Sequence, residues 1–112
     1  MTYTAKDIES ATDLILAADI GYWTRMAEMD NAGNVTICED DDDAKPVTFT
    51  PADLLDWLAT DGPVELIKQI HDAYQKNAIN DTRYHNWDDW DYDVETGDLI
   101  LQQMLLGEVR YG

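Results

Sequence analysis

Residues 34–49 read NVTICEDDDDAKPVTF, and this stretch decides the predicted fold class. Apolar and polar residues alternate in two short runs, 34–39 and 45–49, which is the period of a strand with one buried face. The run Glu39–Asp43 lies between them, and we expect an exposed connection there because like charges spread into solvent. A third run near 22–29, followed by turn residues, completes a predicted antiparallel meander.

Helices are predicted on both sides of this meander. Thr4 and Asp7 have the spacing of a capping box, which opens a helix that runs to about Ala18. After the meander, Thr50 is a good N-cap and Pro51 suits the first helical position, so a second helix begins there. Its inward residues are Leu54, Leu55 and Leu58, with Trp57 at the margin.

The chain continues as helix and loop up to residue 86. The second helix ends at Asp61–Gly62, and Pro63 begins a third helix that is predicted to run to about Lys76. Residues 77–86 are polar, and we expect a loop there. The apolar positions in register within the third helix are Val64, Ile67, Ile70 and Tyr74, with Leu66 beside them.

The densest mixture of carboxylates and large aromatic rings is the stretch 86–98, NWDDWDYDVETGD. Read as an extended segment it alternates, which is typical of a half-buried strand. Alternate carboxylates would then lie about 6.5–7 Å apart, a pitch similar to that of the phosphates along a nucleic-acid strand. The acidic side carries Asp89, Asp91 and Asp93, the other side carries Trp90, Tyr92 and Val94, and Asp88, Glu95 and Asp98 complete the acidic set.

Two structures are open for the segment that follows. Residues 99–106, LILQQMLL, are strong helix formers and Gly107 suits the C-cap, which favours a helix. The alternative is a hairpin in which residues 95–98 turn and 89–94 pairs with 99–103. We favour the helix.

These elements predict a single α+β domain over residues 1–112, with a small antiparallel sheet of about three strands and three or four helices.

The chain carries 24 acidic and 7 basic residues, a net charge of −17. Such a charge repels nucleic acid and anionic membranes, so we expect no direct binding to either and basic partners instead. Aromatic residues make up 10% of the chain, which separates it from disordered acidic segments.

The residue types that nucleophilic catalysis needs are scarce. Ser10 and Cys38 are the only serine and the only cysteine, and neither has a local histidine signature, so we expect no catalytic residue. Cys38 is better read as a small buried residue. A lone cysteine and an N-terminus without signal-peptide features favour the cytoplasm.

Metal ligands are also not arranged at any familiar spacing. His71 and His85 are isolated, which argues against zinc. The aspartates of segment 89–93 match the first three ligand positions of a calcium-binding loop, but Val94 and Ile100 stand where its glycine and terminal glutamate belong. We therefore predict no metal and no cofactor.

Small size, strong acidity and an aromatic-rich core together resemble a class of phage- and plasmid-encoded inhibitors of bacterial defence, which includes DNA-mimic anti-restriction proteins and acidic anti-CRISPR proteins. The resemblance covers composition and two acidic clusters, Glu39–Asp43 and Asp88–Asp98, and no sequence motif. It implies a non-enzymatic blocker in the cytoplasm of a bacterial host, whose partner is a basic nucleic-acid-binding protein or effector complex.

The contact residues expected for such a blocker are Asp88, Asp89, Trp90, Asp91, Tyr92, Asp93 and Glu95, together with Glu39, Asp40, Asp41, Asp42 and Asp43.

A second hypothesis is an acidic regulatory or assembly protein that binds its partner through apolar and aromatic surface, with the acidity serving solubility. An enzyme is the third. Monomer and homodimer are both open, the latter through Leu99–Leu106 if that segment is not fully buried.

Overall fold

The computed structural model of the chain describes residues 2–85 and 94–112. Within those ranges five helices and three strands follow one another, and the α+β prediction is confirmed. In chain order they are α1 (Ala5–Ala17), β1 (Thr24–Met29), β2 (Val35–Glu39), β3 (Val47–Phe49), α2 (Pro51–Leu58), α3 (Gly62–Lys68), α4 (Ala73–Arg83) and α5 (Val94–Leu106).

The strands form one antiparallel sheet in the order β1-β2-β3, so the predicted meander is confirmed. Ala27 of β1 lies opposite Ile37 of β2, and Val35 of β2 lies opposite Phe49 of β3. The β1–β2 register shifts at Arg25, which makes a bulge there. The central strand β2 buries Val35 and Ile37, and its far end leads into the acidic run.

Both predicted N-caps are confirmed. The Thr4 Oγ1 accepts a hydrogen bond from the Asp7 N–H at 3.1 Å, and the Asp7 carboxylate accepts from the Thr4 N–H at 3.3 Å. Thr50 and Asp53 repeat this capping box at α2, at 3.2 and 2.9 Å. Because each box satisfies backbone donors that a helix cannot, local sequence determines where α1 and α2 begin.

The prediction of one helix from Pro63 to Lys76, followed by a loop over 77–86, is wrong. Helix α3 ends at Lys68, and a separate helix, α4, begins at Ala73 and extends to Arg83. The carboxylate of Asp72 accepts a hydrogen bond from the Gln75 N–H at 3.1 Å and so caps a new helix.

The polar composition of α4 conceals its buried face. Its buried residues have the i, i+3, i+4, i+7 spacing of one helical stripe, but two of the four are polar. They are Gln75, Ala78, Ile79 and Thr82. Tyr74, which was predicted to face inward, is 57% exposed because it lies off this stripe.

The helix prediction for residues 99–106 is confirmed and the hairpin is wrong. Helix α5 begins five residues earlier than predicted, at Val94, and takes in the 95–98 segment that the hairpin would have turned. An extended reading therefore fails from Val94 onward, and its remaining part, 86–93, lies outside the described residues. Gly107 ends α5 with a φ of 77°, which a residue without Cβ adopts without strain.

The core lies where α1, α2 and α5 meet the inner face of the sheet. Trp23 is 2% exposed and is the largest side chain among the fully buried ones described. Gly97 of α5 faces α1, where an added Cβ would lie 3.0 Å from the Ala18 Cβ. The absence of a side chain at Gly97 therefore sets how closely α5 approaches α1.

Candidate functional site

The predicted contact residues fall on different parts of the structure. Asp88, Asp89, Trp90, Asp91, Tyr92 and Asp93 lie outside the described residues, and their contacts stay a prediction. Glu95 is exposed in the first turn of α5, where its Oε2 accepts a hydrogen bond from the Gln75 Nε2 at 3.3 Å. Glu39–Asp43, which we call the acidic loop, leaves β2 towards β3.

The described residues on either side of the 86–93 stretch contact opposite ends of α1. His85 Nδ1 lies 3.9 Å from Asp7 Oδ1 at the start of that helix. Just beyond its end, the Asp19 N–H donates to the Val94 carbonyl at 3.2 Å. Helix α1 has 13 residues and is about 20 Å long at the usual rise. The residues that flank the 86–93 stretch, His85 and Val94, are therefore both held near α1, at opposite ends of that helix.

The acidic loop is a compact, hydrogen-bonded turn. The Asp41 Oδ1 accepts from the Asp43 N–H at 3.0 Å, and the Asp41 carbonyl accepts from the Ala44 N–H at 3.0 Å. At the loop's start, the Asp40 N–H donates to the Trp23 carbonyl at 2.8 Å. The four aspartates are exposed, so the turn presents carboxylates to solvent from a defined backbone.

Arg25 holds the far end of the acidic loop from the bulge in β1. Its Nη2 donates to the Ala44 carbonyl at 3.1 Å, and its Nε donates to the Cys38 Sγ at 3.4 Å. The hydrogen bond to Cys38, and to a smaller extent the negative charges of Asp42 and Asp40, raise the pKa of Arg25. Cys38 is buried as a free thiol, as predicted for a small residue in this strand. One of the few cations of the chain is thus used to fix the loop.

Glu39 differs from the aspartates that follow it, because the chain itself already binds its carboxylate. The Tyr111 O–H donates to Oε2, and the Arg110 Nη1 lies 3.3 and 3.4 Å from the two oxygens. The Glu39 side chain is only 13% exposed. The hydrogen bond to Glu39 also raises the pKa of Tyr111. Of the predicted contact residues in this loop, Glu39 has a structural role at the loop's base.

An open cleft of about 240 Å³ lies beside the acidic loop, between the sheet and the end of α5. Its apolar lining includes Trp23, Leu105 and Leu106. Glu39 and Arg110 line it as well, which brings the carboxylate at the loop's base next to apolar surface. The sequence did not predict this cleft, because its walls come from segments far apart in the chain.

Asp98 belongs to the acidic stretch in the sequence, but it lies in the protein interior at 5% exposure. Its Oδ1 accepts from the Trp23 Nε1 at 2.7 Å and from the Gln102 Nε2 at 2.9 Å, and its Oδ2 accepts from the Tyr22 O–H at 2.5 Å. Burial, and then the hydrogen bond to Asp98, raise the pKa of Tyr22. The spacing of Asp98 and Gln102, one helical turn apart, was the only local sign of this network.

Gln102, which is fully buried, fastens the last described segment to α5. Its Oε1 accepts from the backbone N–H groups of Arg110 and Tyr111, both at 2.9 Å, and its Nε2 donates to the Tyr111 carbonyl at 3.1 Å. The Tyr111 ring stacks on Trp23 with centroids 5.7 Å apart and planes 4° from parallel. This docking places Arg110 and the Tyr111 hydroxyl over Glu39.

Neither a metal cluster nor a membrane span is present in the part of the chain that the structure describes. Over residues 2–85 and 94–112, no group of three or more His, Cys, Asp or Glu residues is placed to hold a metal ion. His71, which was predicted to lie in a helix, lies exposed between α3 and α4. No helix among the described residues is long and apolar enough to cross a membrane.

Comparison of the chain with protein-family models, with curated proteins and with solved structures finds no match in any of the three. The function proposed for it rests on its own residues and their geometry.

Proposed function

We propose that this chain is a non-enzymatic inhibitor of a bacterial defence complex, of the anti-CRISPR or anti-restriction kind, which presents carboxylates to a basic nucleic-acid groove. The observation that carries the proposal is the excess of 24 acidic over 7 basic residues in the chain. Among the Asp and Glu residues that the structure describes, only Asp98 is buried. A surface of this kind attracts clusters of lysine and arginine and repels nucleic acid.

The acidic loop supports the proposal because its backbone is already ordered. Hydrogen bonds from Arg25 and within the turn hold it, so little conformational entropy is lost when its carboxylates meet a partner. Of the four exposed aspartates of this loop, Asp40, Asp42 and Asp43 are proposed to stand in for phosphates, because the Asp41 carboxylate already accepts the Asp43 N–H. The stretch 88–95 is the second predicted contact region.

Affinity in this proposal comes from many weak contacts. One exposed ion pair contributes about 0–1 kcal/mol, so several carboxylates must act together. Salt screens such contacts, because the Debye length falls from about 10 Å at 0.1 M to about 3 Å at 1 M ionic strength. Binding to the target should therefore weaken steeply as salt is added.

The test is capture of the target from bacterial lysate on the immobilised protein, at low and at high salt, with and without competing DNA. Mass spectrometry then identifies the retained proteins. Recovery of a nucleic-acid-binding complex that salt and DNA both displace supports the proposal. A salt-resistant partner that DNA does not displace, or no partner at all, contradicts it.

Two triple variants with the same net charge show whether the loop itself is the contact. The loop variant carries Asp40→Asn, Asp42→Asn and Asp43→Asn. The control variant removes three exposed acids elsewhere and carries Glu9→Gln, Asp13→Asn and Glu28→Gln. Direct contact through the loop predicts that the loop variant loses most of the captured complex and the control keeps it. Equal losses would indicate that only net charge matters.

One observation favours the second hypothesis, a regulatory or assembly protein. Leu16 is 65% exposed and lies in an apolar groove of about 140 Å³ that includes Ile20, Ala27 and Met29. A partner that binds there would be held by apolar contact, so high salt would not release it. Under this hypothesis Leu16→Asn removes the captured protein while the loop variant retains it, which is the reverse of the first expectation.

A further inference from the structure

We propose that the cleft beside the acidic loop receives one arginine side chain of the protein partner. This inference rests on the proposed function, because it takes the partner to be a basic protein. It goes further by naming the side chain that the partner inserts and the carboxylate that binds it, Glu39.

The shape and chemistry of the cleft suit an arginine. Trp23, Leu105 and Leu106 give it an apolar lining, and Glu39 lies among the same lining residues. An arginine buries its aliphatic stem along apolar surface while its charged head seeks an acceptor. A carboxylate next to apolar walls, in a cleft of about 240 Å³, provides both.

The chain's own Arg110 indicates that Glu39 binds a guanidinium. Only one nitrogen of Arg110, Nη1, reaches the carboxylate, at 3.3 and 3.4 Å. A guanidinium that approaches through the cleft can offer two nitrogens to the two oxygens, which is the stronger arrangement. The Tyr111 hydroxyl keeps the carboxylate in place for it.

Arg110 does not lose its counter-charge when a partner takes Glu39. Its Nε donates to the Glu108 Oε1 at 2.9 Å, so a second carboxylate already holds it. Lys45 also lines the cleft and opposes an incoming cation, but it is exposed to solvent, which screens its charge, and it follows the four aspartates of the acidic loop in the chain. The exchange of one guanidinium for another at Glu39 is therefore electrostatically mild.

Arginine is favoured over lysine because its planar fork matches both oxygens of a carboxylate, whereas an ammonium is a compact and strongly hydrated charge. This difference makes the proposal testable with small probes. N-acetyl-arginine amide is the probe, N-acetyl-citrulline amide is its uncharged analogue of similar shape, and N-acetyl-lysine amide carries the charge without the fork.

The experiment is a titration of the 112-residue chain with each probe, followed by NMR of the Leu105 and Leu106 methyl groups and the Trp23 indole N–H. We expect the arginine probe to shift these three sets of signals in a saturable way, with the lysine probe weaker and the citrulline probe inactive. Shifts confined to the amides of the acidic loop, or equal responses to arginine and lysine, overturn the proposal.

Two variants give effects of opposite sign. Arg110→Ala removes the internal competitor and should tighten the arginine probe roughly two- to fivefold, the range that an exposed ion pair corresponds to. Ala44→Met fills the cleft from its lining, while the Ala44 carbonyl still accepts from Arg25, and should abolish the methyl shifts. Unchanged probe affinity in either variant, with a melting temperature near that of the parent, overturns the proposal.

Failure of this inference and failure of the proposed function are distinguishable. The probe titration contains no target, so it can fail while the lysate capture succeeds. If Ala44→Met binds no probe and still captures the target as well as the parent, the target does not use the cleft, and the inference is overturned while the inhibitor proposal stands.

Discussion

Asp98 and Asp42 carry the same side chain, yet they lie in opposite environments. Asp98 is 5% exposed and accepts hydrogen bonds from Trp23, Tyr22 and Gln102. Asp42 is exposed in the acidic loop. The first carboxylate organises the interior, and the second is available to a partner. Acid content alone therefore does not identify contact residues; burial and hydrogen bonding divide them.

Glu39 is intermediate between these two. Its carboxylate belongs to the acidic loop in the sequence, but Tyr111 and Arg110 bind it from the last described segment. A gradient of exposure thus runs from Asp98 through Glu39 to Asp42. Stability should respond to substitution along the same gradient, and the predictions that follow test this order.

The largest effect is expected at Asp98. Asp98→Ala leaves the buried Trp23 N–H without its acceptor, which costs about 1–3 kcal/mol, and it removes the hydrogen bond from the half-exposed Tyr22 O–H to a carboxylate, which contributes about 1.5–3 kcal/mol. We expect the free energy of unfolding to fall by about 3–4 kcal/mol, measured by urea denaturation. Asp98→Asn keeps one acceptor oxygen and should lose less. A loss below about 1 kcal/mol for Asp98→Ala would equate Asp98 with a surface acid.

A smaller effect is expected at the intermediate position. Tyr111→Phe removes the hydroxyl that donates to Glu39 and keeps the ring that stacks on Trp23. One such hydrogen bond contributes about 1 kcal/mol, which is the expected decrease in the free energy of unfolding. Tyr84→Phe is the matched control, since Tyr84 is 65% exposed, and it should leave stability unchanged. An equal decrease in the free energy of unfolding for the two variants would mean that the hydrogen bond to Glu39 does not contribute to stability, and Glu39 would then resemble the exposed aspartates.

Alkaline pH should weaken the tyrosine–carboxylate pairs. The hydrogen bond to Asp56, and then burial, raise the pKa of Tyr3 from 10.0 to about 12. A folded-state pKa above the unfolded one means that this contribution is complete below pH 10.0 and is lost as pH rises towards about 12. Denaturation of the parent and of Tyr3→Phe across that window should show a shallower decline in the variant. Parallel curves would contradict the assignment.

The smallest effect on stability is expected in the acidic loop. The loop variant with Asp40→Asn, Asp42→Asn and Asp43→Asn should change the free energy of unfolding by no more than about 0.5 kcal/mol, because the three side chains meet solvent. At low salt the change should be slightly stabilising, since like charges are removed. Urea denaturation at low and high salt measures both. A loss of several kcal/mol would mean that the loop is structural.

Elements set by local chemistry were predictable from the sequence. The two capping boxes, at Thr4 and Thr50, and the alternation along β2 and β3 placed α1, α2 and the meander within a few residues. The break before α4 was missed although Asp72 stands three residues before Gln75, the spacing of a helix start. The polar residues that follow suggested a loop, because burial of Gln75 and Thr82 depends on contacts with other elements.

The interior carboxylate and the cleft were beyond sequence reasoning for a different reason. Nothing next to Asp98 in the chain distinguishes it from its exposed neighbours, since two of its three donors, Tyr22 and Trp23, lie 76 and 75 residues away. The cleft likewise joins Trp23 to Leu105 and Leu106. Local patterns predict where an element starts, whereas a pairing of distant segments becomes visible only in the folded chain.

The separation of Trp23 and Asp98 along the sequence has a consequence for synthesis on the ribosome. Asp98 follows Trp23 by 75 residues, which take roughly 4 to 15 s to translate at 5–20 residues per second. The acidic loop is made early in that interval, but α5 begins only at its end, and the segment that stacks on Trp23 is made after it. A nascent chain therefore displays the loop's charges before the cleft exists, and a partner that needs both can recognise the chain only after Leu105, Leu106 and Arg110 have been made.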